Sequence, residues 1–512
     1  MAERDQPLGV TRNLVSYWLA FAFAAIIGFF LSPYVVKHLG SSAYGVWTLL
    51  GTLVGYLGLL DFGIRGAVTR YVARFHAAQD AESSSSIVSA ALAMFGLLGV
   101  VSIALATALA YLSPLLFNIP ESLIPDSRLI LFIGGITVAV TLIGAVFGGV
   151  LTGLQRFDVT SALEIVLTAL RTVAIVLAIE TGFGLVALAL IYLASSCASG
   201  FITWIAATRL YPDLQIRFDK TLSPQLRTIF FFGIALSAIH ALDVLISYTD
   251  IVVVATFLPV SAVTYYAIAG NLCNYARQAT SAVSVLMTPR VSAMMSSGSD
   301  KIVDEVLAAA RISTLIAAPI AFTLFFRGES FINLWMGTEY GAISADVLKI
   351  LAVVVLLGGA QNVGTASMIG ANRHRLLIPI FALEAFFNLV LSIAFVQAFG
   401  LAGVALGTLI PSLIVSFWFM PRCLHSAIGL PKNLYLLKGW LLPVFACIPF
   451  GIVSILTEHF LMANNLPTFF IQVTLTLPLV IPCALLVCLN CFERRRVFSM
   501  VRRFVALGTR RS

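Results

Sequence analysis

Charges buried in apolar sequence need a reason, and this chain places several there. Glu164 and Arg171 stand seven residues apart, which puts both on one face of a helix. Asp243 and Asp250 repeat that spacing, with His240 close by, while Arg277 and Glu384 sit in apolar runs of their own. Ionisable groups in such runs are costly and face a protein interior or water. Arginine stays charged and donates two parallel hydrogen bonds from a planar fork, the geometry that grips an oxyanion. The acids could titrate or simply balance the arginines. For any one residue a structural ion pair explains the charge as well as ligand binding does. Taken as a set spread along the chain, they point to a hydrated cavity.

The segment "LLDFGIRGAVTRYVARF" adds a second group. Read as part of a continuous helix over 44–75, it places Asp61 about 25 Å and Arg65 about 31 Å from the start. Arg65 then falls near the edge of a hydrocarbon layer about 30 Å thick. Asp61 and Arg65 can pair at i, i+4, as a structural tie or as a cavity entrance. Arg70 and Arg74 lie beyond the layer and read as anchors.

The elements that position these groups are membrane-spanning helices. The 512 residues are 60% hydrophobic and only 11% charged, with a mean hydropathy of +1.00. Soluble chains carry about 25% charged residues. Apolar runs of helical length predict spans near 13–37, 44–75, 87–113, 128–153, 157–179, 184–208, 226–257, 262–293, 303–326, 344–369, 375–398, 402–424, 436–457 and 466–490. The first is too long for a cleaved signal peptide. The expected fold is an all-α polytopic membrane protein with fourteen helices. With the N-terminus in the cytoplasm, 25 of the 31 Lys and Arg fall on the cytoplasmic side. Lys37, Arg128, Arg327 and Lys349 fall outside, and Arg171 and Arg277 within spans. That asymmetry predicts cytoplasmic termini and explains the net charge of +8 without nucleic acid. The basic tail after Phe492 reads as a topology anchor or a headgroup contact.

A repeat is also visible. Leu39, Ser42 and Ala43 recur as Leu258, Ser261 and Ala262, and "TGLQR" before Glu164 parallels "IGANR" before Glu384. Two pseudo-symmetric six-helix bundles follow, over 1–210 and 211–432, with two extra helices and the tail over 433–512. Duplicated bundles commonly enclose a midplane site. The seven cysteines, including the CxxC pair Cys488 and Cys491, read as small membrane-helix residues rather than metal ligands.

The stretch "LGSSAYGVWTLLGTLVGYLGLLDFGIRGAVTRYVA", with "YTDIVVVATFLPVSAVTYYAIAG", "FINLWMG" and "GLAGVALG", resembles the polysaccharide flippases, the Wzx-type polysaccharide transporter branch of the MOP superfamily. The resemblance covers most of the chain. It implies a translocator of lipid-linked oligosaccharide in the bacterial inner membrane, with an undecaprenyl-pyrophosphate cargo and no cofactor. Polysaccharide polymerase and glycosyltransferases are the partners it implies beside membrane lipids. Arg171, Arg277 and Arg65 are then cavity candidates for the pyrophosphate. Asp61, Glu164, Asp243, Asp250 and Glu384 are candidates for ion coupling or charge balance. Tyr17, Trp18, Trp47, Tyr56, Tyr265, Tyr266 and Tyr275 could stack on sugars, though packing explains such aromatics equally well.

Three other readings compete. A multidrug extruder of the superfamily has twelve spans and an acid in its first helix; the run from Leu14 to Val36 has none. Lipid II flippases share fourteen spans but are Arg-rich in the first helices, and no Arg follows Arg12 here before Arg65. A membrane polymerase or glycosyltransferase needs catalytic groups gathered outside the bilayer. The chain offers no such loop, and no HExxH, GxSxG or P-loop.

Overall fold

The computed structural model describes residues 6–217 and 222–488, with side chains from Ser16, Leu19–Arg217 and Ser237 onward. Tyr17, Trp18, Cys491 and the basic tail lie outside the described side chains. Among the described residues there are helices and turns and no strand. In hydrocarbon a helix satisfies its own backbone, so apolar runs of this length have no other stable form open to them except a closed barrel.

The helices are α1 Gln6–Leu57, α2 Ile64–Ala77, α3 Ala81–Leu116, α4 Ile124–Gly153, α5 Phe157–Glu180, α6 Leu185–Leu210, α7 Leu222–Phe257 and α8 Val260–Val285. They continue with α9 Met287–Ser296, α10 Ile302–Trp335, α11 Thr338–Gly370, α12 Leu377–Ile414, α13 Met420–Ile428, the single turn α14 Lys432–Leu434, α15 Leu442–Phe460, α16 Leu466–Thr476 and α17 Val480–Val487. Eleven helical stretches among the described residues are long and apolar enough to cross a membrane. Two of them run on through a bend, at Gly40 (φ 80°) and at Gly400 (φ 56°), where only glycine adopts the backbone without strain. α8 is not among the eleven; it carries Asn271, Asn274, Arg277 and Gln278.

Two expected spans are interrupted. The helix expected over 44–75 breaks at a 3₁₀ turn, Gly58–Asp61, followed by Phe62 and Gly63 at φ 43° and 70°. The span expected over 262–293 breaks at Leu286, between α8 and α9.

The chain divides into two compact units, at Thr264 and Tyr265. In the first, α4 packs on α3 and α6, α1 on α5, and α7 on α1, α2 and α3. Its core gathers Ile64, Val68, Val72, Phe95, Val146 and Val150. Small residues let the helices close: a Cβ on Gly153 would lie 2.9 Å from the Thr69 carbonyl oxygen. Asp80 caps α3, accepting from the Ser83 N–H at 2.9 Å. The side-chain and backbone hydrogen bonds from Ser83 hold its carboxyl below the usual range. This cap therefore holds above that range and is lost as pH falls through the lowered value.

In the second unit α10 packs on α11 and α15, and α9 on α11. Arg327 lies inside α10 and is 1% exposed, whereas the charge count places it in an outer loop. Its Nε donates to Glu458 Oε2 at 2.9 Å and its Nη2 to Gln472 Oε1 at 2.5 Å. The guanidinium also sits 4.5 Å from the Phe469 ring centre, and Ser330 Oγ donates to Glu458. One charge thus joins α10, α15 and α16. Removing one member of a buried pair strands the other, at a cost of about 3–5 kcal/mol. Arg327→Ala should therefore lower the thermal unfolding temperature of the purified protein sharply. The double change Arg327→Met with Glu458→Leu should recover much of the loss; equal losses would show that the pair does not staple these helices.

Candidate functional site

Three of the candidate charges of the first unit, Arg65, Glu164 and Arg171, line one cavity of 310 Å³. α2 supplies Arg65, α4 supplies Thr141, Gly144 and Gly148, α5 supplies Thr160, Glu164 and Arg171, and α6 supplies Ser195, Ser196, Ser199 and Thr203. The wall between α4 and α6 exists because both helices are bare where they meet. A Cβ on Gly144 would lie 2.9 Å from the Gly200 Cα. Gly148 leaves room for Arg65, whose Nη2 would be 4.0 Å from a Cβ there.

Several wall hydroxyls spend their hydrogens on their own helices. Thr141 reaches the Thr137 carbonyl at 2.7 Å and Ser196 Oγ at 3.3 Å, and Thr203 reaches the Ser199 carbonyl at 2.8 Å. Their lone pairs are left for a ligand, while the arginines supply donors.

Arg171 is half-buried and has no carboxylate partner among the described residues. Its Nη2 lies 3.5 Å from Thr168 Oγ1, a marginal contact, and its Cζ lies 4.9 Å from the ring centre of Tyr192. Glu164 is on the same face, as its spacing requires, but Thr168 intervenes and donates to Glu164 Oε1 at 3.3 Å. The site therefore carries two guanidiniums and one carboxylate, none of them locked to another.

The i, i+4 side-chain pairing of Asp61 with Arg65 does not form. Asp61 Oδ1 accepts instead from the Arg65 backbone N–H, at 3.2 Å. The chain breaks at Phe62 and Gly63, so α2 starts with unpaired N–H groups that an acceptor just before it must satisfy. Asp61 is that acceptor, and the Arg65 side chain is free to face the cavity.

The other candidates lie elsewhere. Arg277, on α8, donates to Asn274 Oδ1 and likewise has no carboxylate among the described residues; it does not line this cavity. Asp243 is exposed and Asp250 is buried. Asp250 follows Thr249, whose hydroxyl lies 3.5 Å from that of Tyr56. Glu384 is buried and accepts from Ser412 Oγ at 2.8 Å. It belongs to a polar seam in which Asn388 donates to Thr408 Oγ1 at 2.9 Å and Ser392 to the Val404 carbonyl at 3.3 Å. Of the aromatics, Trp47 meets Tyr192 at 5.6 Å, Tyr56 meets Tyr248 at 5.5 Å and Tyr265 meets Tyr340 at 5.6 Å between ring centres. No group of three metal-ligating side chains occurs among the described residues.

The charge pattern overlooks the cavity-lining hydroxyls of α6 and, beside Arg171, its contacts Tyr192 and Thr168. A signal for them exists: Tyr192, Ser195, Ser196, Ser199 and Thr203 recur at spacings of three and four in an otherwise apolar helix, which marks one polar face.

A family described as "Polysaccharide biosynthesis protein" matches residues 39–345. The chain belongs to that family. It is 22% identical over 443 residues to a membrane protein of Bacillus subtilis, EpsK, itself uncharacterized, covering 86% of this chain and 87% of that one. It is 23% identical over 445 residues to the "Probable low-salt glycan biosynthesis flippase Agl15" of Haloferax volcanii, covering 85% and 87%. Among solved structures it matches the lipid II flippase MurJ in an inward closed conformation with a TM-score of 0.75 at 16% identity, over 94% of this chain and 100% of that one. The two chains therefore share a multi-pass helical fold.

If Asp61 acts as a cap, only its acceptor oxygen matters. Asp61→Asn should melt within a degree or two of the wild type, whereas Asp61→Ala should cost about 1 kcal/mol. Thermal unfolding of the purified variants checks this, and equal destabilisation by both would show that the charge itself is required.

Proposed function

We propose that this protein flips a lipid-linked oligosaccharide, carried on a polyprenyl diphosphate, across the bacterial cytoplasmic membrane for surface polysaccharide synthesis. One observation carries the reading: Arg171 in α5 and Arg277 in α8 have no carboxylate partner among the described residues, while Arg327 is paired with Glu458. A cation kept at that expense and left uncancelled is suited to a mobile anion. A diphosphate offers the paired oxygens that a guanidinium fork grips, and the hydroxyl-lined wall around Arg65, Glu164 and Arg171 suits the adjoining sugar. The family, and the relative named as a glycan flippase, agree with this chemistry.

The rest of the proposal follows from the sequence. Fourteen crossings leave both termini in the cytoplasm, in two repeats over 1–210 and 211–432 that alternate access, with 433–512 appended. Glu384 and Asp250, the buried acids, are the foremost candidates for ion coupling; Glu164 and Asp243 balance charge. The chain acts as a carrier rather than an enzyme, and hands its cargo from glycosyltransferases to a polymerase.

Two experiments test this. Cysteines at positions 83 and 512 should both be labelled from the cytoplasmic side; an outside signal from either overturns the topology. Arg171→Ala and Arg277→Ala should reach the membrane at normal levels yet fail to restore surface polysaccharide in a strain lacking the gene. Arg→Lys at either position should restore it partly, with cargo affinity about tenfold to hundredfold lower because the fork is lost. Normal export by both alanine variants would refute anion binding, and failure of both to accumulate would make the arginines structural.

A further inference from the structure

An arginine in a membrane protein must be held by something, and the partners differ in what they leave free. Glu458 cancels the charge of Arg327. Arg311 spends a donor on the Cys488 carbonyl, at 3.0 Å. Arg171 is held differently, by the face of the Tyr192 ring at 4.9 Å. The quadrupole of an aromatic face attracts a guanidinium without carrying a formal charge. The ring offers no acceptor atom in the plane of the guanidinium, so beyond the marginal contact of Nη2 with Thr168 the N–H donors are left for an oxyanion.

The surroundings keep that arrangement in place. Trp47 of α1 meets the Tyr192 ring at 5.6 Å and 53°. Glu164, the one acid lining the cavity, is held by Thr168 and does not reach the guanidinium. Tyr192 is 37% exposed.

We propose that Tyr192 is the positioning residue of the anion site: it fixes Arg171 in the cavity wall through its ring face while leaving the positive charge available to the diphosphate. The inference rests on the reading of Arg171 as a ligand-binding group. It assigns no contact between Tyr192 and the cargo; the residue acts through Arg171.

The test separates ring electrostatics from shape. Full-length protein in lipid nanodiscs is titrated with undecaprenyl diphosphate, and position 192 carries Phe or Phe with one, two or three ring fluorines. Fluorination weakens the quadrupole with little change in size, so a packing role would not follow it. Tyr192→Phe should bind within about twofold of the wild type. Affinity should then fall with each fluorine toward the value for Tyr192→Leu, about twofold to thirtyfold below the wild type. A flat fluorine series, or Tyr192→Phe as weak as Tyr192→Leu, overturns the proposal. Arg171→Ala separates the two levels of inference. Loss of binding there with a flat fluorine series leaves the anion site standing and removes only the role of Tyr192. Undiminished binding by Arg171→Ala removes both.

Discussion

A guanidinium cannot be left to itself in hydrocarbon, and this chain matches its buried arginines in two different ways. Arg327 donates to a carboxylate and an amide and rests against Phe469. It holds three helices together, with its charge matched by Glu458. Arg171 and Arg277 are each matched by neutral groups, a hydroxyl and a ring for one and an amide oxygen for the other. Neutral partners lower the cost of keeping a cation in the membrane without cancelling its field. An arginine paired with a carboxylate has its charge spent on structure, whereas one matched only by dipoles keeps its field, as the proposed anion site requires.

The same constraint governs the backbone. Where a helix breaks inside the membrane, the freed N–H and C=O groups must find partners within the protein. At the break after Asp61 the carboxylate takes the Arg65 N–H. That substitution turns the start of α2 and sends the Arg65 side chain to the cavity. At the wide π-helical turn Tyr435–Leu441 the Gly439 carbonyl takes the Thr314 hydroxyl at 2.8 Å. At the Gly400 bend the Ser392 hydroxyl reaches the Val404 carbonyl. Irregular backbone and small polar side chains therefore occur together, and in the first unit they build one wall of the site.

Much of this was legible in the sequence, for physical reasons that also mark its limits. Apolar runs longer than a bilayer is thick read directly as helices, and seven-residue spacing correctly set Glu164 and Arg171 on one face. The pairing of Asp61 with Arg65 failed because it assumed a helix through Phe62 and Gly63; a lone glycine inside an apolar run does not announce a left-handed turn. Arg327 was misread because a charge at the edge of an apolar run looks like a loop residue. Its partner Glu458 is 131 residues away, a pairing that no local pattern encodes. The polar stripe of α6 was visible, but hydroxyls in membrane helices so often bond their own backbone that the stripe alone carries little weight.

A carrier must also let go. A site that bound its anion with two arginines and nothing else would hold it too deeply to release it on the far side. The cavity of the first unit moderates this in two ways. Glu164 places one negative charge beside two positive ones, so part of the attraction for an anion is offset before the anion arrives. The wall hydroxyls of Thr141 and Thr203, tied to their own carbonyls, present lone pairs, which favour sugar hydroxyls and disfavour bare phosphate. In the proposed role, that mixture would favour a sugar joined to a diphosphate over either part alone. At 310 Å³ the cavity sits at the small end of ligand sites, and in the proposed role it would take the junction rather than a whole repeat unit. On that proposal, recognition limited to the junction would leave the outer sugars free to vary without changing the grip that moves them.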